Sequence, residues 1–428
     1  MSEQPPAPAA SPSSPAPQNW ATSFFTIWTG QAFSLLGSRI AQFALVWWLT
    51  QLTGSATILA TASLVGFLPE VFLLPIAGAY VDRWNRRITM IVADGAIALA
   101  SLWLVYLFWT DTIQVWHVYV ILFVRSLGGC FHWPAMQAST SLMVPEQHLT
   151  RVAGINQTLF GTLSIFGPPA GALAMQLLPM HNVMMIDVVT ALLAIVPLFF
   201  IMVPQPPNHE ARTKASSFWQ DMREGLHYLL QWRGMLILIG MVLIFKLATT
   251  PAFSLIPLLV SKHFEGDAYS LSLMETLLGV GIVIGGLILT AWGGFKRKIL
   301  TSMSALAVSG SFFVLMGLTP ASTFWIAVAC MFLIGFFMPF VDGPFMAVLQ
   351  SKIAPEKQGR VFSLIGSLMG ITSPIGLAVA GPISDALGLQ FWYIAAGILA
   401  SAVAIAAMFV PAVVNIESAN TAPSAPPA

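Results

Sequence analysis

Twelve runs of predominantly apolar residues divide the chain between two polar ends, and no other feature limits its fold as severely. Their cores lie at 24–51, 56–81, 88–109, 116–143, 152–178, 183–203, 234–260, 271–292, 298–318, 322–350, 359–384 and 389–411. Each meets the requirement of about 20 residues for a helix that crosses a bilayer. In hydrocarbon every backbone N–H and C=O must find its partner inside the protein, which leaves the spanning helix and the closed barrel. Barrel strands alternate lipid-facing and lumen-facing residues, whereas Leu102 to Phe108 and Ile394 to Val410 are unbroken apolar runs. The expected class is therefore an all-α membrane protein with twelve transmembrane helices. Composition agrees, with 57% apolar and 8% charged residues against about 25% charged in soluble domains.

The lysines and arginines orient the spans, because loops rich in them remain cytoplasmic. Fourteen of the 18 basic residues fall in loops of one parity: Arg83, Arg86 and Arg87; Arg151; Arg212, Lys214, Arg223 and Arg233; Lys296, Arg297 and Lys298; Lys352, Lys357 and Arg360. Lys262 alone falls in a loop of the other parity, so both termini are expected inside. Residues 1–19 and 412–428 are rich in proline, alanine and serine and read as disordered cytosolic tails. A net charge of +1 supplies no basic patch for nucleic acid, and Cys130 and Cys330 lie inside apolar runs, so no disulfide framework is expected.

The chain also repeats. Pro134, Met136, Pro145 and Glu146 recur 210 positions later as Pro344, Met346, Pro355 and Glu356. Two six-helix halves, 20–203 and 234–411, are expected, joined by a polar linker at 204–233. Phe218, Trp219, Met222, Leu226, Leu229 and Leu230 of that linker share one helical face, the pattern of an interfacial helix. Duplicated halves with a midplane site between them are how many secondary transporters are built.

Charged side chains within spans are costly and mark function. They are Arg39, Glu70, Asp94, Arg125, Asp187, Lys246, Glu275 and Asp342. Arg39 and Glu70 lie midway along spans one and two, and an antiparallel hairpin of those spans would pair them. Lys246 and Arg125 are expected to neutralise an acid or line the cavity, whereas Asp187 and Glu275 lie near outer ends, where solvated structural acids are expected. His132 and Asp342 occupy equivalent places in the two repeats, and a packed hydrogen-bonding role is the expectation for that histidine. Trp47, Trp48, Trp109 and Trp116 read as an aromatic belt.

The stretch GAYVDRWNRR between spans two and three places Gly78, Asp82, Arg83, Arg86 and Arg87 in the pattern G-x-x-x-D-R-x-G-R-[KR]. The positive-inside rule calls for the arginines but not for the acid. With Arg125 and Gly129 as R-x-x-x-G, and Gly167, Pro168 and Gly171 as G-P-x-x-G, the chain resembles the major facilitator superfamily, and along its length the macrolide-efflux group of that superfamily. Asn85 stands where the loop pattern has glycine, a position where Asn tolerates left-handed backbone, and Gly128 where the span-four pattern often has Gln. GGFKRK at 293–298, the second-half copy of the loop, lacks the aspartate.

The resemblance implies a plasma-membrane antiporter that exchanges protons for a hydrophobic small molecule such as a macrolide, and five acids against three bases within the spans favour a cationic one. It further implies no cofactor or metal and no catalytic residue, with the lipid bilayer as surroundings and a monomer as a sufficient unit. In that reading Arg39, Glu70, Arg125, Lys246 and Asp342 couple protons or line the cavity. Gly78, Asp82, Arg83, Arg86, Arg87 and Asp94 form a cytoplasmic gate, Asp94 pairing with Arg86 or Arg87, and Gly167, Pro168 and Gly171 form a hinge in span five. Export of a siderophore or another metabolite is the alternative. A membrane-embedded enzyme is more distant, because no H-E-x-x-H, nucleophile elbow or phosphate loop is present. A scaffold without transport would leave the midplane charges as a cost without return.

Overall fold

A computed structural model describes residues 20–81, 84–205, 223, 226, 227, 229, 230, 232–353 and 355–417. Among the described residues, twelve helices are long and apolar enough to span a membrane. They are numbered α1 (Trp20–Thr53), α2 (Ala56–Val81), α3 (Arg86–Trp109), α4 (Val115–Met143), α5 (Glu146–Leu177), α6 (Met180–Phe200), α7 (Arg233–Ser254), α8 (Ala268–Trp292), α9 (Lys298–Leu318), α10 (Phe324–Lys352), α11 (Pro355–Leu387) and α12 (Gln390–Phe409). No strand occurs among the described residues. Most of the proposed interfacial helix lies outside them, including Phe218, Trp219 and Met222. Of its described residues, Leu229 is buried in one core cluster with Met235, while Leu226 and Leu230 are exposed.

Packing obeys the internal repeat. In the first half α1 packs on α5 and α6, α2 on α4, and α3 on α4 and α6; adding six to each number gives the second half, α7 on α11 and α12, α8 on α10, and α9 on α10 and α12. The halves meet along two seams, α2 with α11 and α5 with α8, which the same operation exchanges. Spans one and two barely touch each other despite the short turn at Gly54, because α1 is held by α5 and α6 while α2 belongs to the α11 seam.

Prolines shape these contacts. A helical proline has no N–H to give the carbonyl four residues earlier, and in a bilayer that carbonyl needs another neighbour. Pro197 in α6 frees the Leu193 carbonyl, which meets Gly30 of α1 so closely that a Cβ there would lie 2.6 Å from the oxygen. Pro251 in α7 frees the Leu247 carbonyl, which meets Gly376 of α11 with a corresponding distance of 2.7 Å. Glycine is needed at both places because only a bare Cα fits against the exposed backbone.

The two ends of the bundle differ. At the end that holds Gly54 and Asp267, one core cluster takes residues from both halves, among them Phe43, Leu59 and Val118 with Leu255, Leu271 and Met331. Hydrogen bonds reinforce it: Thr57 Oγ1 donates to Asp385 Oδ2 at 2.9 Å, and the hydroxyls of Ser63 and Ser254 lie 2.6 Å apart. At the end that holds Trp20 and Glu417, each half has its own cluster, one around Phe24, Met90 and Leu198 and the other around Met235, Val348 and Val413. Among the described residues, the bundle is therefore sealed at one end and its cores are divided at the other. Trp109 and Trp116 stand exposed at the sealed end, whereas Trp47 is buried in the shared core, so the expected belt is only partly formed.

Candidate functional site

The most heavily bonded charge cluster lies inside the first half. Arg125 Nη1 of α4 forms an ion pair with Asp187 Oδ2 of α6. Ser38 Oγ donates to Asp187 Oδ1 at 2.8 Å, Ser101 Oγ donates to Asp187 Oδ2 at 2.6 Å, and Arg125 Nη2 donates to the Ser38 carbonyl at 3.1 Å. The carboxylate is 1% exposed. One expectation is corrected here, since Asp187 is not a solvated acid, and of the two roles expected of Arg125 it takes that of neutralising an acid. The reason is that α1, α3, α4 and α6 converge on this point, where a desolvated carboxylate requires a permanent counter-charge. Sequence reading missed Ser38 and Ser101, since most membrane hydroxyls bond their own helix, as Ser139 does to the Ala135 carbonyl.

A second buried acid, Asp94, sits two turns into α3 and is 5% exposed. Its Oδ2 accepts from Gln31 Nε2 of α1 at 2.9 Å, and its Oδ1 lies 3.4 Å from His132 Nε2 of α4. The expected pairing with Arg86 or Arg87 is not formed. Arg87 instead donates to the carbonyls of Leu198 and Phe199, and Arg86 Nη1 donates to the Ala138 carbonyl at 2.7 Å. The last turn of α6 leaves carbonyls without helical donors, and a guanidinium is well suited to fill them. Gly78 lies in α2, while Asp82 and Arg83 lie outside the described residues. Asn85 is not left-handed: with φ −68° and ψ 111° it caps α3, its side chain accepting from the Ile88 N–H. Gly128 admits α3, since a Cβ there would lie 2.9 Å from Ile97.

Arg39, Glu70, Lys246 and Asp342 are all exposed, and none forms an ion pair with another described residue. The Arg39–Glu70 pair expected from a hairpin is absent because α1 and α2 diverge. Across the division Arg39 is within Coulombic reach of Glu275 on α8, and within the second half Lys246 is within reach of Asp342. Four charges exposed at membrane depth cannot face hydrocarbon without a large penalty.

Gly167, Pro168 and Gly171 lie in α5, which remains one helix through the double proline. Gly167 packs on the stem of Arg39, a Cβ there falling 3.2 Å from Arg39 Cβ, and Gly171 packs on Phe43. Pro168 and Pro169 free the carbonyls of Ser164 and Ile165 on the α8 side. Gly279 lies against the first, and Thr276 Oγ1 donates to the second at 3.2 Å. The proline pair thus makes part of the seam between halves. Beside it, a cavity of ≈ 670 Å³ opens between Trp47, Pro169, Gln176, Asp267 and Tyr269.

Comparison with known proteins agrees with this architecture. Residues 27–377 match the family model described as Major Facilitator Superfamily. Macrolide efflux protein A of Streptococcus pyogenes is 36% identical over 387 residues, covering 90% of this chain and 95% of the relative. Multidrug efflux pump Tap of Mycolicibacterium fortuitum is 24% identical over 395 residues, covering 90% and 94%. A bacterial homologue of the iron transporter ferroportin, solved in an inward-facing state, superimposes with a TM-score of 0.68 at 15% identity, covering 91% of this chain and 99% of that one. With its twelve helices in two related halves, its matched family model and a relative similar along nearly its whole length, this multi-pass membrane protein belongs to the major facilitator superfamily of transporters.

Proposed function

We propose that the chain exports a hydrophobic, cationic compound of the macrolide kind across the bacterial plasma membrane, in exchange for protons. The observation that carries the reading is the 36% identity to a macrolide efflux protein along 90% of the chain. The exposed acids Glu70 and Asp342 supply negative charge for a cation, and Arg39 and Lys246 limit the net charge of an empty cavity. With the basic loops inside, the divided end of the bundle faces the cytoplasm, and the conformation described is the one that loads substrate. Transport then requires the division to close and the α2–α11 and α5–α8 seams to part at the sealed end. The loop from Gly78 to Arg87, with Asp82 and Arg83, acts as the cytoplasmic gate. Gly167, Pro168 and Gly171 let α5 shift against α1 and α8.

Expression in an efflux-deleted, hypersensitive bacterial strain tests the reading against a panel of macrolides, dyes and siderophore precursors. Raised resistance to macrolides that disappears with a protonophore supports it. Resistance confined to siderophore precursors would replace the substrate class, and resistance that survives the protonophore would remove proton exchange.

A further inference from the structure

The first half contains two buried acids of opposite provision. Asp187 has a guanidinium, a cation that does not release its proton under physiological conditions. Among the described residues, Asp94 has only an amide and an imidazole beside it. We propose that Asp94 and His132 form the proton-binding site of the transporter, with Gln31 orienting the carboxylate. This rests on the proton-exchange reading above, and it moves the proton from the exposed acids to a buried pair.

The geometry favours exchange. An ionised carboxylate withdrawn from water needs a compensating charge. When the imidazole is neutral the pair carries one uncompensated negative charge; one added proton makes it an ion pair of net charge zero. Histidine is the side chain whose charge state changes within the physiological range. His132 Nε2 is buried and has no hydrogen-bond partner among the described residues, although it lies 3.4 Å from Asp94 Oδ1. A shift of a few tenths of an ångström would complete a charge-assisted bond. The imidazole is 14% exposed against 7% for the carboxylate, so it is the less enclosed member of the pair. Its equivalent in the second half, 210 positions later, is Asp342, which stands exposed.

Among the described residues, no other charge takes the place of that proton. From α4, Arg125 is committed to Asp187 of α6, which meets α3 at Ser101, about 10 Å along the helix from Asp94 at 1.5 Å per residue. From α3 itself, Arg86 and Arg87 reach backbone carbonyls. From α1, Arg39 lies eight residues beyond Gln31 and is within reach of Glu275. From α2, Glu70 is within Coulombic reach of Cys130 on α4. Because Gln31, Asp94 and His132 belong to α1, α3 and α4, gain or loss of the proton changes how strongly three helices of one half are held together. That is the link from ion binding to conformation.

The test has two readouts on purified full-length protein. In histidine-labelled protein, the nitrogen resonances should include one imidazole that titrates between about pH 5 and 8 and is missing in His132→Gln. Asp94→Asn keeps the bond from Gln31 and should displace that midpoint, so it serves if His132→Gln does not insert. In proteoliposomes under an imposed pH gradient, wild type should accumulate a labelled macrolide while His132→Gln loses uphill accumulation. If no titrating imidazole is lost or displaced, or if His132→Gln pumps at the wild-type rate, the proposal is overturned. If the imidazole titrates as described and wild type ignores the gradient, the proton site stands and the proton-exchange reading falls.

Discussion

Arg125 and Asp187 meet inside the first half, with Ser38 and Ser101 completing the carboxylate's bonds, so that four helices share one ion pair. Removing one partner strands the other. Arg125→Ala is expected to cost about 3 to 5 kcal/mol by leaving an unpaired buried carboxylate. The double variant Arg125→Ala with Asp187→Leu should recover most of that loss, since a buried pair exchanged for apolar packing is often close to neutral. Thermal unfolding in detergent reads both. A single variant as stable as wild type would mean that water enters the site.

Thr276 and the Ile165 carbonyl make a different kind of contact, one between halves that exists only while the α5–α8 seam is closed. Thr276→Val removes the hydroxyl without changing the shape and should destabilise this conformation by about 1 kcal/mol. That corresponds to roughly a fivefold shift in population. A single cysteine introduced at Ser63, opposite Ser254, should then react faster with an impermeant thiol reagent. An unchanged rate would show that the opening equilibrium does not depend on this bond.

The spans were legible because the bilayer demands length and apolarity, and these leave a one-dimensional record. The repeat was legible from four residues at one offset, and the packing of α1 to α6 on one another recurs in α7 to α12. Pairings were not legible. Arg39 and Glu70 share a depth but not a neighbour, because adjacency in sequence did not bring α1 against α2. Asp94 is close in sequence to Arg86 and Arg87, yet those side chains point to helix ends while Asp94 turns inward to Gln31 and His132. Depth can be counted along a helix; the face a residue presents depends on which neighbours claim that face. The signal that could have found the Arg125–Asp187 pair was chemical, since two unlike charges within apolar spans of one half invite each other.

At the sealed end, Asp267 caps α8: Ser270 donates its backbone N–H and its hydroxyl to Oδ1, each at 2.8 Å. The backbone bond from Ser270 is the largest influence holding this carboxyl below its ordinary range. Because the folded value is depressed, the contribution is complete above the ordinary value of about 3.9 and is lost as pH falls through the lower, folded value. Asp267→Ala should cost about 1 kcal/mol at neutral pH. The gap between variant and wild-type melting should narrow below about pH 4. A gap that widens in acid would show that the carboxylate does not cap the helix.

Glu70 tests the substrate reading separately from the proton site. It stands exposed on α2 with no ion pair among the described residues, close enough to Cys130 of α4 to act on it electrostatically. A carboxylate so placed can attract a cationic substrate at modest strength, because water in the divided cavity screens it. Glu70→Gln keeps the size and removes the charge, so it should weaken binding of a cationic macrolide by about 1 kcal/mol, roughly fivefold. A neutral compound carried by the same protein should be little affected, and the imidazole titration assigned to His132 should remain. The measurement is binding to purified protein, by quenching of intrinsic tryptophan fluorescence, for a cationic and a neutral member of one compound series. Equal loss for both members would make Glu70 a packing residue. Loss of uphill transport with both affinities intact would instead return the proton to Glu70, and the buried pair would then be structural.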